Sequence, residues 1–209
     1  MLVYLWEIRA PGLDAHVVDW GYYPCDIEGP CVGEAAGHVP LWQMAFTSMF
    51  LHGGVVHLAG NMLFLWIFGN NVEDAMGRLR FLLFYLAAGL AATTLQTFVT
   101  LHWGDAQEAS IPNVGASGAI AGVLGAYFVL YPRAGVLTAI VLGFFFVLRE
   151  IRAIYFLGVW FLFQLALGGF GVLQPDSGGG VAFFAHVGGF AFGLLAVKLF
   201  ATRRPQATW

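Results

Sequence analysis

Residues 81–104, FLLFYLAAGLAATTLQTFVTLHWG, form a run of 24 residues without a charged side chain. Because about 20 apolar residues in an α-helix cross a bilayer core of roughly 30 Å, this run predicts a transmembrane helix. Four other uncharged runs are long enough for a span, and they cover residues 35–72, 109–132, 153–175 and 177–197. The run from 134 to 148 has only 15 residues and is too short.

The composition excludes most other classes of protein. The 209 residues include 9 basic and 12 acidic side chains, and 59% are hydrophobic, which is typical neither of a soluble domain nor of a disordered chain. A net charge of -3, without a basic cluster beyond Arg203 and Arg204, argues against nucleic acid as a partner. The apolar runs lack the alternation of barrel strands. The sequence therefore predicts an all-α integral membrane protein.

Basic residues indicate the topology, because they concentrate in short cytoplasmic loops. Arg78 and Arg80 follow the first complete predicted span, Arg133 and Arg149 flank the short run, and Lys198 lies near the C-terminus. We therefore expect spans at 55–71, 81–102, 116–131, 153–171 and 181–200. The segment 134–148 is expected to be re-entrant or interfacial on the cytoplasmic side.

The segment 7–54 is predicted to be an outer loop that contains an interfacial segment. Cys25 and Cys31 lie together in it; a disulfide is possible if the loop faces an oxidising compartment, and their pairing stays open. An outer loop requires a helix before it, yet only Met1 to Trp6 precede it. We expect the chain to begin within a first helix, through truncation or a misplaced start.

Four polar side chains fall inside the predicted spans, where polar groups are costly and therefore indicate function. His57 and Asn61 lie four residues apart, on one face of the first complete helix. Ser117 opens the third span, and His186 lies near the start of the fifth. Since all three helices run from outside to inside, these side chains are expected at a similar depth below the outer surface.

Small residues permit two of these helices to approach closely. Gly118 and Gly122 share one face of the third span, and Gly189 and Gly193 share one face of the fifth. Such glycine strips more often serve packing than chemistry. Here the packing would bring a hydroxyl and an imidazole within hydrogen-bond distance.

This pair predicts nucleophilic catalysis. His186 would take the proton of Ser117 as the serine oxygen attacks a carbonyl carbon, and would then protonate the leaving amine. No acidic residue lies within a complete predicted span, so packing or a neutral hydrogen bond would orient the imidazole. The donors available to the oxyanion are His57, Asn61 and the backbone N–H of Ser117.

Of the remaining serines and histidines, the serines are expected in interfacial or loop segments, His52 at the membrane interface, and the other histidines solvated in loops or at a helix end. These residues are Ser48, Ser110, Ser177, His16, His38, His52 and His102. Ser117 is therefore the serine best placed to meet His186.

Three motifs, in order along the chain, resemble those of the rhomboid intramembrane serine proteases. They are His57-x-x-x-Asn61, Gly115-Ala-Ser117-Gly118 and Ala185-His186-x-x-Gly189-x-x-x-Gly193. The resemblance covers nearly all of residues 42–200. It implies a rhomboid-like six-helix transmembrane bundle, with its first helix largely missing from this chain. It also implies a water-filled cavity that opens to the outside.

The resemblance implies a role for each site residue: Ser117 as nucleophile, His186 as general base, and His57 with Asn61 as oxyanion stabilisers. It further implies that single-span transmembrane substrates enter beside the helix 153–171 and that the loop 172–180 caps the cavity. The apolar gate on that helix would consist of Trp160, Phe161 and Phe163. Some family members stack an aromatic residue on the histidine one turn after the serine, whereas this chain has Ala121.

The expected partners are transmembrane substrates and membrane lipid, and no cofactor or metal is expected. The compact core favours a bacterial plasma membrane, with the site outside and the C-terminus in the cytoplasm. Two alternatives stay open. One is a rhomboid-like binding protein that holds transmembrane clients without cutting them. The other is a metal-dependent enzyme or transporter that uses His52, His57 and His186.

Overall fold

The computed structural model describes residues 2–8, 13–29, 31–32, 39–173 and 182–202. His38, Ser177 and nearly all of the predicted cap at 172–180 lie outside these ranges.

The described residues of the N-terminal part form short helices and 3₁₀ turns. Helices α1 (Leu2–Glu7) and α2 (Leu13–Trp20) precede a 3₁₀ turn at Pro24–Asp26. Helix α3 (Leu41–Thr47) follows and continues into a 3₁₀ turn at Ser48–Phe50. Cys25 and Cys31 form a disulfide, so the structure decides the pairing that the sequence leaves open.

The rest of the chain is dominated by long apolar helices. Helix α4 (Val55–Phe64) continues through a π-helical turn at Leu65–Gly69 into α5 (Asn70–Met76). The helices that follow are α6 (Arg78–Trp103), α7 (Ala106–Ala109), α8 (Ser117–Leu130), α9 (Ala153–Leu173) and α10 (Phe183–Phe200).

Four of these helical segments are long and apolar enough to cross a membrane. They are Val55–Met76, Arg78–Trp103, Ala153–Val172 and Phe183–Phe200. This set of helices confirms the predicted helical membrane bundle. The first segment extends past the predicted end at 71, because Glu73 and Asp74 continue the helix rather than end it.

Helix α8, at the place of the predicted span 116–131, is shorter than the others. Its 14 residues extend about 21 Å, less than the thickness of a bilayer core. Every residue from 118 to 127 is buried, so α8 is enclosed by the neighbouring helices rather than by lipid. This enclosure explains a sequence that is apolar and small all round.

The segment expected to be re-entrant or interfacial forms a β-hairpin, which adds a strand pair to the helical bundle. Strands β1 (Gly135–Leu142) and β2 (Phe145–Arg152) pair antiparallel, with Leu142 opposite Phe145. Gly143 has a φ of +65°, which a glycine in the turn accommodates without strain. Strands are recognised in a sequence by alternating apolar and polar residues. Near the tip of this hairpin both faces are apolar, so the sequence shows no such alternation and does not reveal the strands.

Candidate active site

Three helix starts meet at the candidate site. Ser117 is the first residue of α8, His186 the fourth residue of α10, and His57 the third residue of α4. The hydroxyl of Ser117 donates to Nε2 of His186, with 2.8 Å between oxygen and nitrogen. The structure thus brings together two side chains that are 69 positions apart in the sequence.

Glycines in α8 and α10 make this approach possible. A Cβ on Gly189 would overlap the carbonyl oxygen of Gly118, and a Cβ on Gly193 would overlap that of Gly122. The backbones of α8 and α10 are therefore in direct contact. This close approach is the one that the small-residue spacing predicts.

A residue that the sequence analysis did not select, Gln164, completes the contacts of the imidazole. It lies on α9, its side chain is buried, and its Oε1 lies 2.7 Å from Nδ1 of His186. An amide oxygen only accepts, so Nδ1 carries the ring proton and Nε2 is left to accept from Ser117. The signal in the sequence was a single amide within the apolar run of α9.

His57 contributes a ring N–H beside the serine. The backbone N–H of Gly53 donates to Nδ1 of His57 at 3.3 Å, so the ring proton is on Nε2. A Cβ on Gly115 would lie 2.8 Å from that Nε2 and 3.7 Å from Oγ of Ser117. The imidazole therefore occupies the space that a side chain at position 115 would fill, on the same side as the hydroxyl.

Asn61 offers a second free donor. It lies one turn after His57 on α4 and is buried. Its Nδ2 has no hydrogen-bond partner among the described residues. A buried amide without a partner is uncommon and costly, so it is available to a group that enters the site.

Two of the three predicted gate residues lie against α10. The ring of Trp160 is 5.9 Å from that of His186, and Phe161 stacks on Phe190 at 4.6 Å. Trp160 thus provides the aromatic neighbour of the histidine that Ala121 cannot. Phe163 lies apart from them, on the side of α9 that faces away from the bundle, with 57% of its surface exposed.

His16, expected to be solvated in a loop, is buried, and so are Ser48 and His52. Ser48 accepts through its carbonyl oxygen from the N–H of Gly115, and His16 packs edge-on against Trp6 at 3.9 Å. Helix α1 contacts His52, because the backbone N–H of His52 donates to Oε1 of Glu7 at 3.0 Å. Burial, together with the nearby His57, lowers the pKa of His52 to about 4. By contrast, His102 is exposed at the end of α6, as expected.

Comparison with known proteins gives the family. The rhomboid domain model matches residues 40–203. The rhomboid protease GluP of Bacillus subtilis is 45% identical over 85 residues, which cover 41% of this chain and 15% of GluP. RHOMBOID-like protein 4 of Arabidopsis thaliana is 36% identical over 168 residues, which cover 80% of this chain and 36% of that protein.

A third relative is the mitochondrial presenilin-associated rhomboid-like protein A of Danio rerio. It is 37% identical over 87 residues, which cover 42% of this chain and 22% of the relative. The chain therefore spans about a third or less of these relatives' lengths. Since mitochondrial proteins are among these relatives, the comparisons do not support the predicted location in a bacterial plasma membrane. The broader prediction of an integral membrane protein agrees with the four candidate spans. With a domain model matched over most of its length, the chain belongs to the rhomboid family.

Proposed function

We propose that this protein is an intramembrane serine endopeptidase that cuts transmembrane helices of other proteins near their outer ends. The observation that supports this most is the 2.8 Å hydrogen bond from the hydroxyl of Ser117 to Nε2 of His186. It joins a nucleophile to a base between helices that are otherwise apolar.

The reaction would proceed by acyl transfer. Oγ of Ser117 attacks the carbonyl carbon of the scissile peptide, and its proton passes to Nε2 of His186. The tetrahedral intermediate collapses, the C–N bond breaks, and the leaving nitrogen takes that proton. Nε2 of His186 then takes a proton from a water molecule, whose oxygen attacks the ester carbon. The bond from that carbon to Oγ breaks, Ser117 regains the proton from His186, and the new carboxylic acid leaves.

Negative charge on the substrate oxygen would be stabilised by donors already in position. Nε2–H of His57 lies beside Gly115, close to the serine, and Nδ2 of Asn61 is without a partner among the described residues. Donors that need no reorganisation lower the barrier most.

The substrate must reach the serine from within the membrane and expose a carbonyl. A helix hides its carbonyls in internal hydrogen bonds, so a stretch with glycine, proline or other weak helix formers is required. We propose that the substrate enters beside α9. There the ring of Trp160 packs against His186 and that of Phe161 against Phe190, so these two side chains stand between α10 and the face of α9 that points away from the bundle. The site would face the non-cytoplasmic side, because Ser117, His57 and His186 lie at the helix ends remote from Arg133 and Arg152.

The alternative with a metal ion finds less support. Both ring nitrogens of His186 already have hydrogen-bond partners, so neither is free to ligate. A binding protein that does not cut remains the rival, and activity decides between the two.

The test is incubation of the purified protein with a panel of single-span substrates in liposomes, with the cut sites read by mass spectrometry. The wild type should cleave and Ser117→Ala should not, while both unfold at the same temperature. A fluorophosphonate probe should label the wild type at Ser117. Cleavage by the alanine variant would overturn the proposal, and a wild type that neither cleaves nor takes the label would favour the binding protein.

A further inference from the structure

Gln164 is a buried polar residue that contacts the candidate site without taking a direct part in the proposed reaction. Only 7% of its surface is exposed, and it lies in the middle of α9, where nearly every neighbour in the sequence is apolar. Its Oε1 faces Nδ1 of His186 at 2.7 Å, on the opposite edge of the ring from Ser117. A buried amide is costly without a hydrogen bond, and the contact with the imidazole supplies one.

The direction of this hydrogen bond determines the chemistry of the ring. A neutral imidazole has one N–H and one lone pair, and the partner of one nitrogen decides the state of the other. With an acceptor at Nδ1, the proton stays there and the lone pair of Nε2 faces the hydroxyl. The opposite tautomer would place an N–H against Ser117 and could not take its proton.

We propose that Gln164 is the positioning residue of this dyad: its amide oxygen holds His186 in the tautomer that accepts the serine proton, and it makes that state depend on the contact between α9 and α10. This rests on the proposed function. Helix α9 also packs on α10 through the rings of Trp160 and Phe161, and through Gly168, where a Cβ would lie 3.1 Å from Phe184. A displacement of α9 withdraws the amide and releases the ring.

The chain contains a matched control. Gln96 on α6 accepts through Oε1 from the backbone N–H of Ala185 at 3.1 Å, directly before His186. It supports the same helix without touching the imidazole. The same substitution at both glutamines therefore separates support of the helix from control of the ring.

The experiment measures the tautomer first and catalysis second. The full chain is labelled with ¹⁵N-histidine, and the signals of His186 are assigned by their loss in His186→Phe. In the wild type we expect Nδ1 protonated and Nε2 unprotonated. Gln164→Met, of similar volume, should give a mixture of tautomers, whereas Gln96→Met should keep the wild-type ratio. An unchanged tautomer in Gln164→Met overturns the inference, whether or not the protein cleaves any substrate.

Kinetics with a cleaved substrate provide the second measurement. Gln164→Met should lower kcat by about 10- to 100-fold, less than the roughly 10⁴-fold lost when an aspartate that fixes the tautomer is replaced. KM should change by less than about 2-fold, because the amide does not touch the substrate. In Gln164→Asn the side chain is one methylene too short to keep the 2.7 Å contact, so kcat should fall as much as in Gln164→Met. Wild-type kcat in either variant, or a loss confined to KM, would contradict the positioning role. If the wild type has the expected tautomer and Gln164→Met disturbs it, but the wild type cleaves no substrate, the result counts against the proposed function alone.

Discussion

Gly189 of α10 packs on the carbonyl oxygen of Gly118 in α8 so closely that a Cβ at position 189 would overlap that oxygen. Gly118 directly follows the serine of the dyad, and Gly189 lies three residues after its histidine. The contact that sets the distance between the two helices therefore also sets the distance between the hydroxyl and the imidazole.

Gly189→Ala should push α10 away from α8. Overpacking of a close backbone contact costs about 1–3 kcal/mol, and a separation of even 1 Å would break the 2.8 Å hydrogen bond. We expect a lower midpoint of thermal unfolding and a loss of kcat of at least about 10²-fold. The control is Gly169→Ala on α9, where an added Cβ meets nothing within 4 Å. If Gly189→Ala matched this control in both measurements, the glycine contact would not set the geometry of the site.

Asn61→Asp should remove a donor while preserving size. A carboxylate cannot donate to the oxyanion, and loss of one such donor typically costs about 10²- to 10³-fold in kcat. We expect that loss with KM nearly unchanged, measured on a cleaved single-span substrate. Asn70→Asp, at an exposed asparagine of the same spanning segment, should keep wild-type kinetics. Equal kinetics of the two variants would exclude Asn61 from transition-state stabilisation.

The sequence predicts the dyad because its evidence is local. Ser117 and His186 each stand near the start of an apolar helix beside glycines, and spacing alone places them at one depth. Gln164 escapes this reasoning, because it lies about nine residues, or roughly 14 Å, before the outer end of α9. It meets the pair through His186, in a contact between α9 and α10 that the spacing within either helix does not reveal. The burial of His52 depends likewise on Glu7, 45 residues away, whose contact no periodicity reveals.

His52 should make stability depend on pH. Its pKa is lowered from 6.5 to about 4 in the folded protein, first by burial and then by the nearby His57. The unfolded chain therefore takes up the proton first, so stability is complete above about pH 6.5 and is lost as the pH falls towards 4. The unfolding midpoint of the wild type should drop between pH 7 and pH 4 by about 5 °C more than that of His52→Asn. Parallel curves for the two proteins would show that His52 contributes nothing to acid sensitivity.

The hairpin tip should lie in lipid at the cytoplasmic interface. Phe144 is fully exposed in the structure, and its neighbours Phe145 and Phe146 are 78% and 68% exposed. Such a surface on both faces of a hairpin is stable where apolar medium surrounds it, and the hairpin lies between α8 and the membrane-spanning helix α9. Because the chain has only two cysteines and both form the disulfide, Phe144→Cys introduces a single free thiol for a spin label. In liposomes, paramagnetic relaxation of this label should respond to oxygen more than to a water-soluble nickel chelate.

A label at the exposed Arg133 near the base of the hairpin should show the reverse, since a basic side chain there belongs at the headgroups. A label at position 144 that responded mainly to nickel would place the tip in water and remove the hairpin from the membrane.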